Sequence, residues 1–151
     1  MKKIIFIVVA LFMLNNCGYT PIYSSKDNNF NVNISQTDRS KLNSKIENHI
    51  KNFINKNSEN TIELKINTNK IIKIISKDNK GDPSRFSMVI TLNVNFLGKN
   101  NYEINKTESF TENFDYENNS NKFSLKQYEK DIEDNLVSKI VERLIIYLVE
   151  L

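Results

Sequence analysis

Hydrophobic and polar positions alternate in distinct registers along the chain, and each register predicts an element. Phe30, Val32 and Ile34 alternate with Asn31, Asn33 and Ser35, which predicts a short strand with one apolar face. Leu42, Ile46, Ile50, Phe53 and Ile54 then recur at spacings of three and four. This predicts an amphipathic helix, capped at Thr37 or Asp38 and running to about Lys56. Thr61 to Lys77 returns to period two: Ile62, Leu64 and Ile66 alternate with Glu63, Lys65 and Asn67. The register then slips, because Ile71, Ile72, Ile74 and Ile75 are apolar on both faces, and a bulge or an irregular bend near Asn69 is expected. The segment from Lys77 to Pro83 reads as a turn.

Phe86, Met88, Ile90, Leu92, Val94 and Phe96 give the cleanest strand, six apolar residues at period two. Gly98 to Asn101 reads as a tight connection. The partner strand begins at Tyr102 and Ile104 and continues through Phe110, Phe114 and Tyr116, with Lys106 and Glu108 in core-phase positions. Its inner face is therefore partly polar, or the strand runs past the core. After a polar loop, Ser124 and Gln127 fit a capping box. Ile132, Leu136, Ile140, Leu144, Tyr147, Leu148 and Leu151 carry a helical stripe to the end, widened by Val137 and Val141. The order β-α-β-β-β-α predicts an α+β, two-layer sandwich: a mostly antiparallel four-stranded sheet with two amphipathic helices on one face. The opposite sheet face, rich in Thr, Ser, Asn and Lys, is expected to meet water or a wet partner.

The first residues stand apart from this pattern. Lys2 and Lys3 precede eleven apolar residues, Ile4 to Leu14, and then Asn15, Asn16 and Cys17. Eleven helical residues span about 16 Å, well short of a hydrocarbon core of roughly 30 Å. The run matches a secretory signal better than a spanning anchor. Cys17 lies where a bacterial lipoprotein is cut and acylated; Leu14 occupies its usual lipobox place, and Asn16 departs from the pattern. The expected organisation is a lipoprotein signal peptide at 1–16, a lipidated tether at 17–29 and a single domain at 30–151. Gly18 after the cysteine, by resemblance to sorting in Gram-negative bacteria, favours the outer membrane.

Composition narrows the function classes. The 151 residues carry a net charge of +3, and loss of residues 1–16 removes two lysines and leaves 19 basic against 18 acidic residues. No long positive run remains, which argues against general nucleic-acid binding. One cysteine and one histidine, His49, exclude an internal disulfide and a metal site of His/Cys ligands. His49 at the edge of its helical stripe reads as a boundary residue. No Gly-rich phosphate loop, nucleophile elbow or paired acid–base motif is present. Asp78 and Asp82 fall in a turn, and Glu129 and Glu133 on a charged helix face, where solvation is the default. The chain reads as a binding or structural protein with no cofactor and no metal, not as an enzyme.

Cys17-Gly18-Tyr19-Thr20-Pro21-Ile22-Tyr23 resembles the start of the mature LPS-assembly lipoproteins of the LptE family. Ser87 to Val94, with Tyr102 to Ile104, is similar to that family's central hairpin, and Tyr128 to Leu136 through Leu144 to its final helix. The resemblance covers nearly all of 17–151. It implies an outer-membrane lipoprotein, lipid-anchored on the periplasmic side, that plugs the lumen of the LptD β-barrel and helps it assemble. It also implies lipopolysaccharide as ligand. Lys99 and Lys126 roughly match basic positions implicated in the family, and Lys80 and Arg85 are rival contacts for the anionic lipid. Two other readings stay open: a generic periplasmic lipoprotein binding a small ligand or another envelope protein, and a membrane-anchored adaptor.

Overall fold

The computed structural model describes residues 31–54, 61–98 and 105–150. The signal segment, Cys17 and the tether lie outside these residues, as do Phe30, Lys99, Tyr102, Ile104 and Leu151. The elements follow in the expected order: β1 (Asn31–Gln36), α1 (Lys41–Lys51), β2 (Thr61–Lys77), β3 (Pro83–Gly98), β4 (Asn105–Glu117) and α2 (Lys122–Val149). The four strands form one sheet in the order β1-β2-β3-β4. The crossover through α1 returns the chain to the side where β1 began. β1 therefore pairs parallel with β2, and β3 and β4 add antiparallel.

α1 packs on β1, β2 and α2, while α2 packs on β3 and β4. Period two on the strands and the helical stripes meet in one core. Leu64, Ile66, Ile90, Leu92, Val94 and Phe96 from the sheet are fully covered by Ile46, Ile50, Val137, Ile140 and Leu144 from the helices. One polar side chain joins them. Asn43 is buried, donates to the Asp38 carbonyl and carboxylate, and accepts from Thr68 Oγ at 2.6 Å. It fastens the start of α1 to the middle of β2.

Four local expectations are corrected. The N-cap of α1 is Ser40, not Thr37 or Asp38, because Ser40 Oγ accepts from the Asn43 N–H at 3.0 Å. Asp38 instead accepts from the Ser40 N–H and from Asn43. The helix ends at Lys51, so Phe53 and Ile54 pack on the core from beyond it. The β2 ladder runs unbroken through Asn69, and its irregularities fall at Ile74–Lys77. The isoleucines on both faces mark a loss of cover, not a change of phase. Finally, α2 is capped by Asn121, whose side chain accepts from the Phe123 and Ser124 N–H groups, so Ser124 lies in the first turn and the Ser124–Gln127 capping box does not form.

The polar inner face of β4 is resolved by α2. Lys106 and Glu108 share the helix side with Phe96 and Val94. Lys106 pairs with Glu108 at 3.1 Å and sits over the Tyr147 ring, whose hydroxyl donates to Glu108. One turn earlier in α2, Arg143 pairs with Glu112 at 2.6 Å. A charged fringe thus seals the edge where the apolar layer thins.

Candidate functional site

The helices and strands differ in reach, and the difference creates the site. The eleven residues of α1 extend about 16 Å, whereas the seventeen of β2 extend about 56 Å. α1 covers the base of β2 and begins beside Thr68. Beyond that point no helix among the described residues covers β2, and Ile71, Ile72, Ile74 and Ile75 are 42–52 % exposed. Ile72 and Ile74 lie on the helix side, opposite Met88 and Phe86, and Ile71 lies on the outer side, opposite Val89.

Where α1 is missing, a cleft of about 410 Å³ opens between the strands and the first turns of α2, lined among others by Lys70, Ile72, Met88, Phe123, Lys126 and Lys130. Phe123 is 83 % exposed at its rim. Apolar walls with lysines at the margin suit an anionic amphiphile. Lys70 is partly neutralised: Glu133 accepts from Lys70 and from Lys45, each at 2.6 Å, and Lys45 also meets Asp134 at 2.5 Å. Burial alone would raise the Glu133 pKa, but the two lysine hydrogen bonds outweigh it and hold the carboxyl below its usual value. Lys45 is raised: burial opposes its charge, and the bonds to Asp134 and Glu133 prevail.

A second cleft, of about 670 Å³, lies across the β3–β4 end and is lined by Arg85, Asp115, Glu117, Asn118 and Tyr128, among others. Tyr116 lines the second cleft. It packs against Phe86 at 5.6 Å and Tyr128 at 6.3 Å, and its hydroxyl donates to Glu129 at 2.7 Å. Burial first, then the bond to Glu129 and its charge, drive the phenol well above its ordinary pKa. Glu129 and Glu133, expected to be solvated, therefore each hold a structural contact.

The structure brings three of the proposed lipopolysaccharide contacts to this one end. Lys126 lines the first cleft and Arg85 the second. Lys80 sits in the turn between β2 and β3, where Asp78 Oδ1 accepts from the Lys80 and Asp82 N–H groups and Gly81 takes a positive φ of 86°. Lys99 lies outside the described residues; its neighbour Gly98 ends β3 at the opposite end from Arg85. Sequence reasoning missed Lys70, Phe123 and Lys130. The spacing of Lys126 and Lys130 by one helical turn was a usable signal; Lys70 had none, since its place depends on where α1 stops.

The outer sheet face is open and polar. Thr91 pairs with Thr111 at 3.1 Å, Thr107 donates to Asn95 and Ser109 to Asn93 at 3.0 Å each, and Ser87 donates to Asp115 at 2.6 Å. Among the described residues, no three His, Cys, Asp or Glu side chains are grouped to hold a metal ion. No described helix is long and apolar enough to cross a membrane.

The arrangement recurs in solved lipoprotein structures. Rare lipoprotein B from Shewanella oneidensis superposes with a TM-score of 0.58 at 10 % identity, over 80 % of this chain and 97 % of that one. Lipoprotein B from Nitrosomonas europaea gives 0.53 at 16 % identity, over 77 % and 82 % of the two chains. A minor lipoprotein from Acinetobacter baumannii gives 0.54 at 8 %, over 76 % and 85 %. These structures represent the LptE fold, and this chain has that fold. No protein-family model and no curated protein sequence matches it.

Proposed function

We propose that this chain is an outer-membrane lipoprotein of the LptE type, acylated at Cys17, which seats in the lumen of an LptD-type β-barrel, assists its assembly and helps pass lipopolysaccharide to the outer leaflet. The observation that carries the reading is the open sheet face. Its Thr, Ser and Asn side chains bond across the strands in matched pairs, leaving a polar surface from Thr91 to Asn95 on β3 and from Thr107 to Thr111 on β4. A barrel lumen is polar and wet, and such a face lies against it without stripping charged groups of water. The fold shared with lipoprotein structures supports the same reading. At the far end, Lys126 and Lys130 stand beside Phe123, Ile72 and Met88. That combination matches the chemistry of lipid A, whose phosphates suit ammonium groups and whose acyl chains suit the apolar wall.

The test is purification of the tagged full chain from outer-membrane extract in detergent. Recovery with one large β-barrel, and loss of that barrel's assembly on depletion, is the expected result. A chain recovered free, with barrel assembly unchanged, overturns the reading and favours a periplasmic lipoprotein of another kind. Intact mass of the N-terminus checks the anchor: residues 1–16 absent and acyl chains on Cys17 are expected.

A further inference from the structure

β2 has two edges, and among the described residues one of them is unpaired over more than half its length. β3 pairs along β2 from Ile62 to Lys77, but β1 covers it only from Thr61 to Ile66. The last contact on that side is the Thr37 N–H donating to the Ile66 carbonyl at 3.0 Å. Ile66 thus turns its peptide groups toward the β1 side, and strand alternation repeats this at Thr68, Lys70, Ile72 and Ile74. Among the described residues these groups meet no backbone partner. The bare edge from Thr68 to Ile75 is about 26 Å long. Four of its eight residues are isoleucine, and an unpaired edge of this kind can template another strand.

The side chains say what can add there. From Thr68 to Lys77 the segment carries Lys70, Lys73 and Lys77 and no carboxylate. Two copies paired edge to edge would bring these lysines together, and like charges across a ladder repel. Lys70 has Glu133, but Lys73 and Lys77 have no ion pair among the described residues. The lysines therefore guard against self-association and favour an acidic strand. We propose that the free edge of β2 receives an extended segment of another protein by strand addition. The segment carries apolar side chains on the helix side, beside Ile72 and Ile74, and acidic ones on the outer side, beside Lys73. Main-chain bonds supply the attachment and the alternation supplies the choice of partner. This surface is separate from the polar sheet face, and a failure of barrel binding leaves it untouched.

The experiment uses the full chain in detergent micelles and a synthetic ten-residue peptide of alternating Val and Glu. Hydrogen exchange is read at Lys70, Ile72 and Ile74, and at β3 as an internal reference. Millimolar peptide is expected to slow exchange at the three β2 amides by about tenfold or more while β3 is unchanged. Ile72→Pro removes one donor on the free edge, a position where proline does not break the β2–β3 ladder, and is expected to abolish the slowing while β3 protection persists. No slowing overturns the proposal, as does equal slowing in the Ile72→Pro chain. Equal slowing by a Val/Lys peptide removes the charge argument and overturns the acidic partner. Slowing without peptide that grows with chain concentration assigns the edge to a second copy, and slowing by phosphatidylglycerol vesicles alone assigns it to a bilayer; either overturns the proposal.

Discussion

The two halves of β2 are similar in composition and opposite in fate. In the lower half Leu64 and Ile66 are wholly buried under α1 and beside β1. In the upper half Ile72 and Ile74, in the same side-chain phase, are 42 % and 52 % exposed. Nothing in the strand itself separates them. What differs is the length of the neighbours: β1 stops opposite Ile66, and α1 begins beside Thr68. Burial here is a property of the cover, and an isoleucine left without cover becomes surface available to a partner.

The comparison can be broken by substitution, and the lower half should give the largest effect. Leu64→Ala removes a fully enclosed side chain and is expected to cost about 3 kcal/mol in denaturant unfolding. A cost below that of the same change at Ile72 would show that the lower half is not the core. The boundary between the halves is held by Asn43. Asn43→Ala leaves the Thr68 hydroxyl without its acceptor, removes the side-chain donor to Asp38, and is expected to cost about 2 kcal/mol, read the same way.

Above the boundary, Glu133 ties the upper half to α2. Glu133→Gln should cost about 1 kcal/mol near neutral pH, since Lys70 loses its anion and Lys45 keeps only Asp134, at a partly exposed site. The pH dependence follows from the depressed carboxyl. The folded state binds this proton less readily than the unfolded chain, so the contribution is full above the ordinary carboxylate value of about 4.3 and fades as pH falls through the lower folded value. Unfolding curves of the parent and Glu133→Gln chains should therefore differ at pH 6 and converge in acid. The smallest effect belongs to the exposed face. Ile74→Ser should change stability by less than about 0.5 kcal/mol, and a larger loss would mean that the upper half is covered after all.

The strand spans are legible because period two is a local signal: the alternating segment Thr61 to Lys77 coincides with β2, and the phase of β3 from Phe86 to Phe96 holds in the sheet. The helix ends are not. Ser40 and Asn121 outcompete Asp38 and Ser124 as caps, and the choice among neighbouring Ser, Asp and Asn residues depends on which oxygen reaches a free N–H in the folded backbone. The apparent slip at Asn69 has a different cause. Residues 71–75 look irregular only if one face must be buried, and the sequence of β2 does not contain the length of α1. The candidate site shares that blindness: Lys126 is visible as a charge, but its gathering with Lys70 and Phe123 depends on a space left by another element.

The overhang also makes the molecule a cantilever. Its clamp is the core at the base, where α1, β1 and the lower strands interlock. Its strut is α2, fixed to the projecting part through Tyr116–Glu129 and Lys70–Glu133. The β2–β3 ladder is regular from Ile62 to Ile74 and irregular at Ser76, next to the terminal turn. Load applied at that turn meets this joint first and the stiff ladder after it, so a partner grasping the tip pulls on an arm anchored about 30 Å away.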